Sequence, residues 1–96
     1  MNTSDNQPSD SANRLSVLFQ TLMAQQVNMA LVCLGQAPGE GGKATQDLEG
    51  ARFFIDVLEM LEAKTKGNLT QQEQAMLVQS LTSLRLAFVQ LSNASS

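Results

Sequence analysis

The sequence predicts an all-α protein of three helices, the second and third folded into a tight antiparallel hairpin with the first packed against it. Three observations predict it. Apolar residues recur at three- and four-residue spacing through three separate segments. Breakers separate the segments, at Gly35 to Gly42 and again at Gly67. Between the last two, Lys64-Thr65-Lys66-Gly67-Asn68-Leu69-Thr70 and then Glu73 stop one helix and start another within about four residues, so two apolar helices must fold back on each other.

Met1 to Ser11 is rich in Ser, Asn and Asp and reads as a disordered tail. Residues 12–92 read as a single helical domain and residues 93–96 as a frayed end. A domain of 96 residues buries a modest core, and self-association is a common source of added stability at this size.

The first helix is predicted from about Ala12 to Leu34, ending at Gly35. Its apolar side chains, among them Leu15, Leu18, Leu22, Met23, Met29 and Ala30, cover roughly half the cylinder at 100° per residue. Gln26 falls inside this arc. It reads either as a register-setting polar layer at a helix interface or as an edge residue reaching water. Cys33 has no internal partner for a disulfide and reads as a small buried thiol. Leu15 to Leu34 carries no charge, but Gln20, Thr21, Gln25, Gln26 and Asn28 interrupt it, so spanning a membrane is not expected.

Gln36 to Ala44 is a connector broken by Pro38, Gly39, Gly41 and Gly42. Gly41-Gly42-Lys43 resembles a phosphate-binding loop only superficially. That pattern needs Gly where Ala37 stands, Ser or Thr where Ala44 stands, and a strand ahead of it.

The second helix is predicted from about Gln46 to Lys66. Phe53, Phe54, Val57, Leu58, Met60 and Leu61 dominate its apolar side, an arc wide for a helix with a single neighbour. Gly50 lies within that arc, where glycine costs about 1 kcal/mol relative to alanine, and allows close approach of another backbone. Gly67 suits a left-handed helix end, Lys64 and Lys66 sit beside the negative end of the helix dipole, and Asn68 tolerates turn geometry. The third helix follows its N-cap Thr70, which forms a capping-box pattern with Glu73, and runs to about Ser92. Leu77, Leu81, Leu84, Phe88 and Leu91 form a heptad-like seam along it.

Leu48, Ala51, Ile55-Asp56, Leu58, Met60-Leu61, Lys64 through Thr70, Glu73 and Leu84-Arg85 together resemble the bacterial family catalogued as Domain of Unknown Function 1844. The resemblance extends from about Leu15 to Leu91. It implies a small bacterial, cytoplasmic protein and carries no activity with it.

Chemistry finds few parts here. Asp56, Glu59 and Glu62 recur every three residues, yet the chain has no histidine, and the polar strip they occupy reads as a solvated face. No histidine is present to activate Ser or Cys. The turn residues Lys64, Lys66, Gly67, Asn68, Thr70 and Glu73 are read as structural, with a partner contact or a small anion as the rival role. No catalytic, cofactor or metal residue is assigned. A net charge of −3 with scattered basic residues argues against nucleic acid. Met1 to Asp10 shows neither a basic nor an apolar run, so no secretory signal is visible, and the cytoplasmic location expected is the one the resemblance implies.

The function expected from these residues is a non-catalytic module that associates with itself, as a homodimer or other homo-oligomer, or with a protein partner. Candidate interaction residues are Leu22, Gln26, Met29, Asp56 and Arg85. Asp56 and Arg85 can pair across the hairpin, contact another subunit, or stay solvated. The alternative is a membrane-surface protein using the apolar face of the first helix, weakened by the lack of flanking Lys or Arg.

Overall fold

The computed structural model describes residues 8–38, 41 and 46–95. It consists of α1 (Pro8–Cys33), α2 (Leu48–Lys64) and α3 (Gln71–Ser95), with every pair of helices in contact. The all-α class and the three-helix order are as the sequence predicts.

The helix ends differ from expectation in instructive ways. α1 begins at Pro8 rather than Ala12, so residues 8–11 are helical and not part of a tail. Proline is well suited to a first helical position, because its φ is already near the helical value and its missing N–H has no intrahelical partner to lose. Residues 1–7 lie outside the described residues. α3 likewise runs past Ser92 to Ser95, since no Gly or Pro follows Leu91 to stop it. Ser96 lies outside the described residues. α2 is two residues shorter at each end than expected, because a specific cap closes each terminus.

α1 stops where the amides of Gly35 and Gln36 donate to the carbonyls of Val32 and Leu31 at 3.0 and 2.9 Å, with Gly35 at φ 78°. These are the two hydrogen bonds of a Schellman ending. The connector that follows includes residues 39–40 and 42–45, which lie outside the described residues, Gly42, Lys43 and Ala44 of the phosphate-loop look-alike among them. The chain rejoins α1 at Asp47, whose amide donates to the Cys33 carbonyl at 2.7 Å. Asp47 then caps α2, its carboxylate accepting from the Gly50 amide at 3.0 Å.

α2 ends at Thr65, whose amide and hydroxyl both donate to the Leu61 carbonyl, at 3.0 and 2.6 Å. Gly67 takes φ 85°, the left-handed turn expected of it. Thr70 and Glu73 complete the predicted capping box. The Thr70 amide donates to the Glu73 carboxylate at 2.8 Å, and the Glu73 amide donates to the Thr70 hydroxyl at 3.1 Å.

The core takes Met23 and Ala30 from α1 with Leu34 just past its end, Ala51, Ile55 and Leu58 from α2, and Leu77, Leu81 and Leu84 from α3. Burying a leucine of this kind stabilises the fold by roughly 1.5–3 kcal/mol. Ala30 and Ala51 let α1 and α2 come close, and Gly50 closes the gap further. A Cβ on Gly50 would lie 2.9 Å from Cys33 Sγ and 2.7 Å from Asp47 Oδ2. The close approach expected at Gly50 is therefore made by side chains of the α1 end and the cap, not by another backbone.

Candidate interaction surface

Much of the apolar arc of α1 is not used by the core. Leu15, Leu18, Leu22 and Met29 remain 66, 56, 43 and 42% exposed, although all four belong to the predicted apolar side. With Gln25 they fall within an arc of about 80°. The buried residues Met23, Ala30 and Leu34 form the adjacent arc. Gln26 sits at the boundary and is half-buried, whereas Gln25 is exposed in the middle of the leucine row. The sequence reading names Gln26, which the structure places at the edge of this face, while Gln25 lies in its middle. The signal available was the strict three- and four-residue spacing Leu15, Leu18, Leu22, Gln25, Met29, which passes through Gln25 and misses Gln26.

α2 continues this face. Phe53 and Met60 are exposed and lie on one side of the helix, with half-buried Val57 between them. The Phe53 ring meets Phe54 edge to face, centroids 5.2 Å apart, which holds the exposed ring in place. The contacts of α3 show which way these residues point. On α1, α3 lies toward Val27 and Leu31, where a groove of about 310 Å³ is shared with Met76 and Ser80. On α2, α3 lies toward Glu59, which is bonded to Arg85. At 100° per residue, Leu22 on α1 and Phe53 on α2 both point away from α3. The two rows therefore form one apolar face across α1 and α2.

The charged candidates are arranged differently. Arg85 does not reach Asp56. Its Nε and Nη2 both donate to Glu59 Oε2, at 3.0 and 2.7 Å, and this pair bridges α3 to α2. Asp56 instead faces Arg52 one turn earlier, at 3.4 Å. The reason is angular: Glu59 is turned about 60° from Asp56, toward α3. Asp56 and Arg85 are thus exposed and separately paired, and neither joins the apolar face.

Glu73 carries more than a cap. Its carboxylate accepts from the Thr70 amide and shares a groove with Ser16 of α1, whose hydroxyl accepts from the Gln20 side-chain amide at 2.9 Å. Hydrogen bonds from Ser16, then from Thr70, hold the Glu73 carboxyl below its ordinary value, outweighing the opposing effect of burial. Lys64, Lys66, Gly67 and Asn68 are exposed in the turn, and Lys64 occupies the last turn of α2. At the other end, burial and then the Asp47 carboxylate push the Cys33 thiol above its ordinary value, which disfavours the nucleophilic thiolate. Among the described residues no group of His, Cys, Asp and Glu is placed to hold a metal ion.

A model of the family described as Domain of unknown function (DUF1844) matches residues 15–90. No curated protein and no solved structure matches the chain.

Proposed function

The chain belongs to the family Domain of unknown function (DUF1844), and we propose that it is a non-catalytic helical module that associates with itself, most simply as a cytoplasmic homodimer. The observation that carries this reading is the exposed apolar face of α1 and α2. Leu15, Leu18, Leu22, Met29, Phe53 and Met60 together leave on the order of 600 Å² of apolar surface in water. Two copies joined there would bury roughly 1,200 Å², the lower end of what a specific, stable interface needs. A two-fold arrangement uses the same patch on both copies.

The test is the solution mass of the full chain by light scattering at micromolar concentration. A mass near twice 10.3 kDa is expected. Leu22→Glu places a charge in the centre of the face and should give a helical monomer, with the helical circular dichroism retained. A wild-type chain that stays monomeric at these concentrations refutes the proposal.

One observation favours a second reading. Ser11–Cys33 is long and apolar enough to cross a membrane by length and composition, and the same face of α1 can lie on a lipid surface. Arg14 is the one basic residue within that helix, so attraction to anionic lipid is weak. Co-sedimentation with anionic vesicles that Leu22→Glu abolishes would favour the membrane surface over the dimer.

A further inference from the structure

The exposed row on α1 has the spacing of a coiled-coil seam. In heptad terms Leu15, Leu22 and Met29 take a positions, and Leu18, Gln25 and Val32 take d positions. The surface that fits such a seam is another helix with the same spacing, which α1 itself supplies. Residues 15–34 contain no Asp, Glu, Lys or Arg, so two such helices meet without charge repulsion. The occupant of the face is therefore a second copy of this chain.

Gln25 then decides the direction of pairing. In an antiparallel pair each a position faces a d position of the other helix. With the two rows fully overlapped, Gln25 would face Leu22 of the second copy, and the two Gln25 amides, one layer or about 4.5 Å apart along the axis, would meet only diagonally, each packed against a leucine. In a parallel, in-register pair each residue meets its own copy. Two glutamine amides can satisfy each other, since each carries a donor and an acceptor. A buried amide left unmatched is far costlier than one that is matched. We propose that two copies pair through α1 in parallel, with the Gln25 side chains hydrogen-bonded across the two-fold axis. This rests on the self-association reading above. It also sets the second α1 against Phe53 and Met60, because both rows point away from α3.

The experiment uses the full chain with Cys33→Ala and Ser11→Cys, spin-labelled at position 11, an exposed site one turn ahead of Leu15. Pulsed dipolar spectroscopy reads the label separation. Parallel pairing brings the labels within about 25 Å, whereas antiparallel pairing separates them by roughly 35–40 Å along the helices. Gln25→Leu should tighten the dimer about tenfold or more and add the long distance to the short one, because the direction-setting residue is gone. A long distance alone in the parent chain overturns the parallel seam and leaves the dimer standing. A single short distance in Gln25→Leu overturns the role given to Gln25. Absence of dipolar coupling together with a monomeric mass overturns the self-association reading as well.

Discussion

Glu73 is the residue whose loss should be felt most for its size. It is buried, it accepts the Thr70 amide at 2.8 Å, and it lies in one groove with Ser16 of α1, so a single carboxylate fixes the start of α3 where α1 meets it. A hydrogen bond to a charged group contributes about 1.5–3 kcal/mol. The bond from Thr70, with the contact to Ser16 lost as well, puts the cost of Glu73→Ala at about 2–3 kcal/mol. For a domain of this size that corresponds to a melting temperature lower by roughly 10–20 °C. Glu73→Gln keeps an acceptor and should lose about 1 kcal/mol. The pH dependence separates charge from shape. The folded carboxyl titrates below its ordinary value of 4.5, so its stabilisation is complete above that pH and is lost as pH falls through the lower, folded value. Urea unfolding from pH 7 to pH 3, at one fixed protein concentration, should show the wild type and Glu73→Gln converging at the acid end. A Glu73→Ala variant within about 0.5 kcal/mol of wild type, the scatter of a surface substitution, would refute the assignment. So would a gap to Glu73→Gln that does not narrow in acid.

Two further outcomes follow from the geometry. Gly50→Ala gains about 1 kcal/mol of helix propensity, but the new methyl would stand 2.7 Å from Asp47 Oδ2 and 2.9 Å from Cys33 Sγ. Disturbing the cap costs about 1 kcal/mol and crowding the thiol about 1–3 kcal/mol. The net expectation by chemical denaturation is a loss of about 1–3 kcal/mol, reduced when Cys33→Ala is added, and a Gly50→Ala chain more stable than wild type would contradict it. Arg85→Ala removes an ion pair whose two side chains are about half exposed, so it should cost under about 1 kcal/mol and less still in high salt. A salt-independent loss above about 2 kcal/mol would mean Arg85 has some other partner.

The elements most legible in the sequence were those set by local chemistry. Gly67, Thr70 and Glu73 act through bonds spanning three residues, and each performs the turn and cap that its type suggests. The seam of α3 was legible for a related reason. Leu77, Leu81 and Leu84 are its apolar residues with neighbours on both sides, and all three are buried. The link from Glu73 to Ser16 was not legible, because it joins residues from different helices and nothing local announces it. The partner of Arg85 was not legible for the same reason. Asp56 and Glu59 are equally plausible acids on a helical wheel, and the lateral position of α3 chooses between them. Helix ends fared worst at Pro8, where a polar, serine-rich composition concealed a first turn that proline starts readily.

The width of the apolar arc on α1 is the observation that joins fold to function. A helix that serves one core needs a stripe near 100° wide, and α1 presents close to twice that. Its buried half is spent on Met23, Ala30 and Leu34, which face α2 and α3. The other half keeps heptad spacing over residues 15–32 although nothing among the described residues requires it. Residues that merely fill a core gap tolerate irregular spacing, because Met and Leu adapt to the space available. A regular seam has to match a second regular seam. Asp and Glu are absent from that stretch while the chain as a whole is acidic. Regular spacing, missing charge and an exposed face two helices wide are the three observations on which the self-association proposal rests.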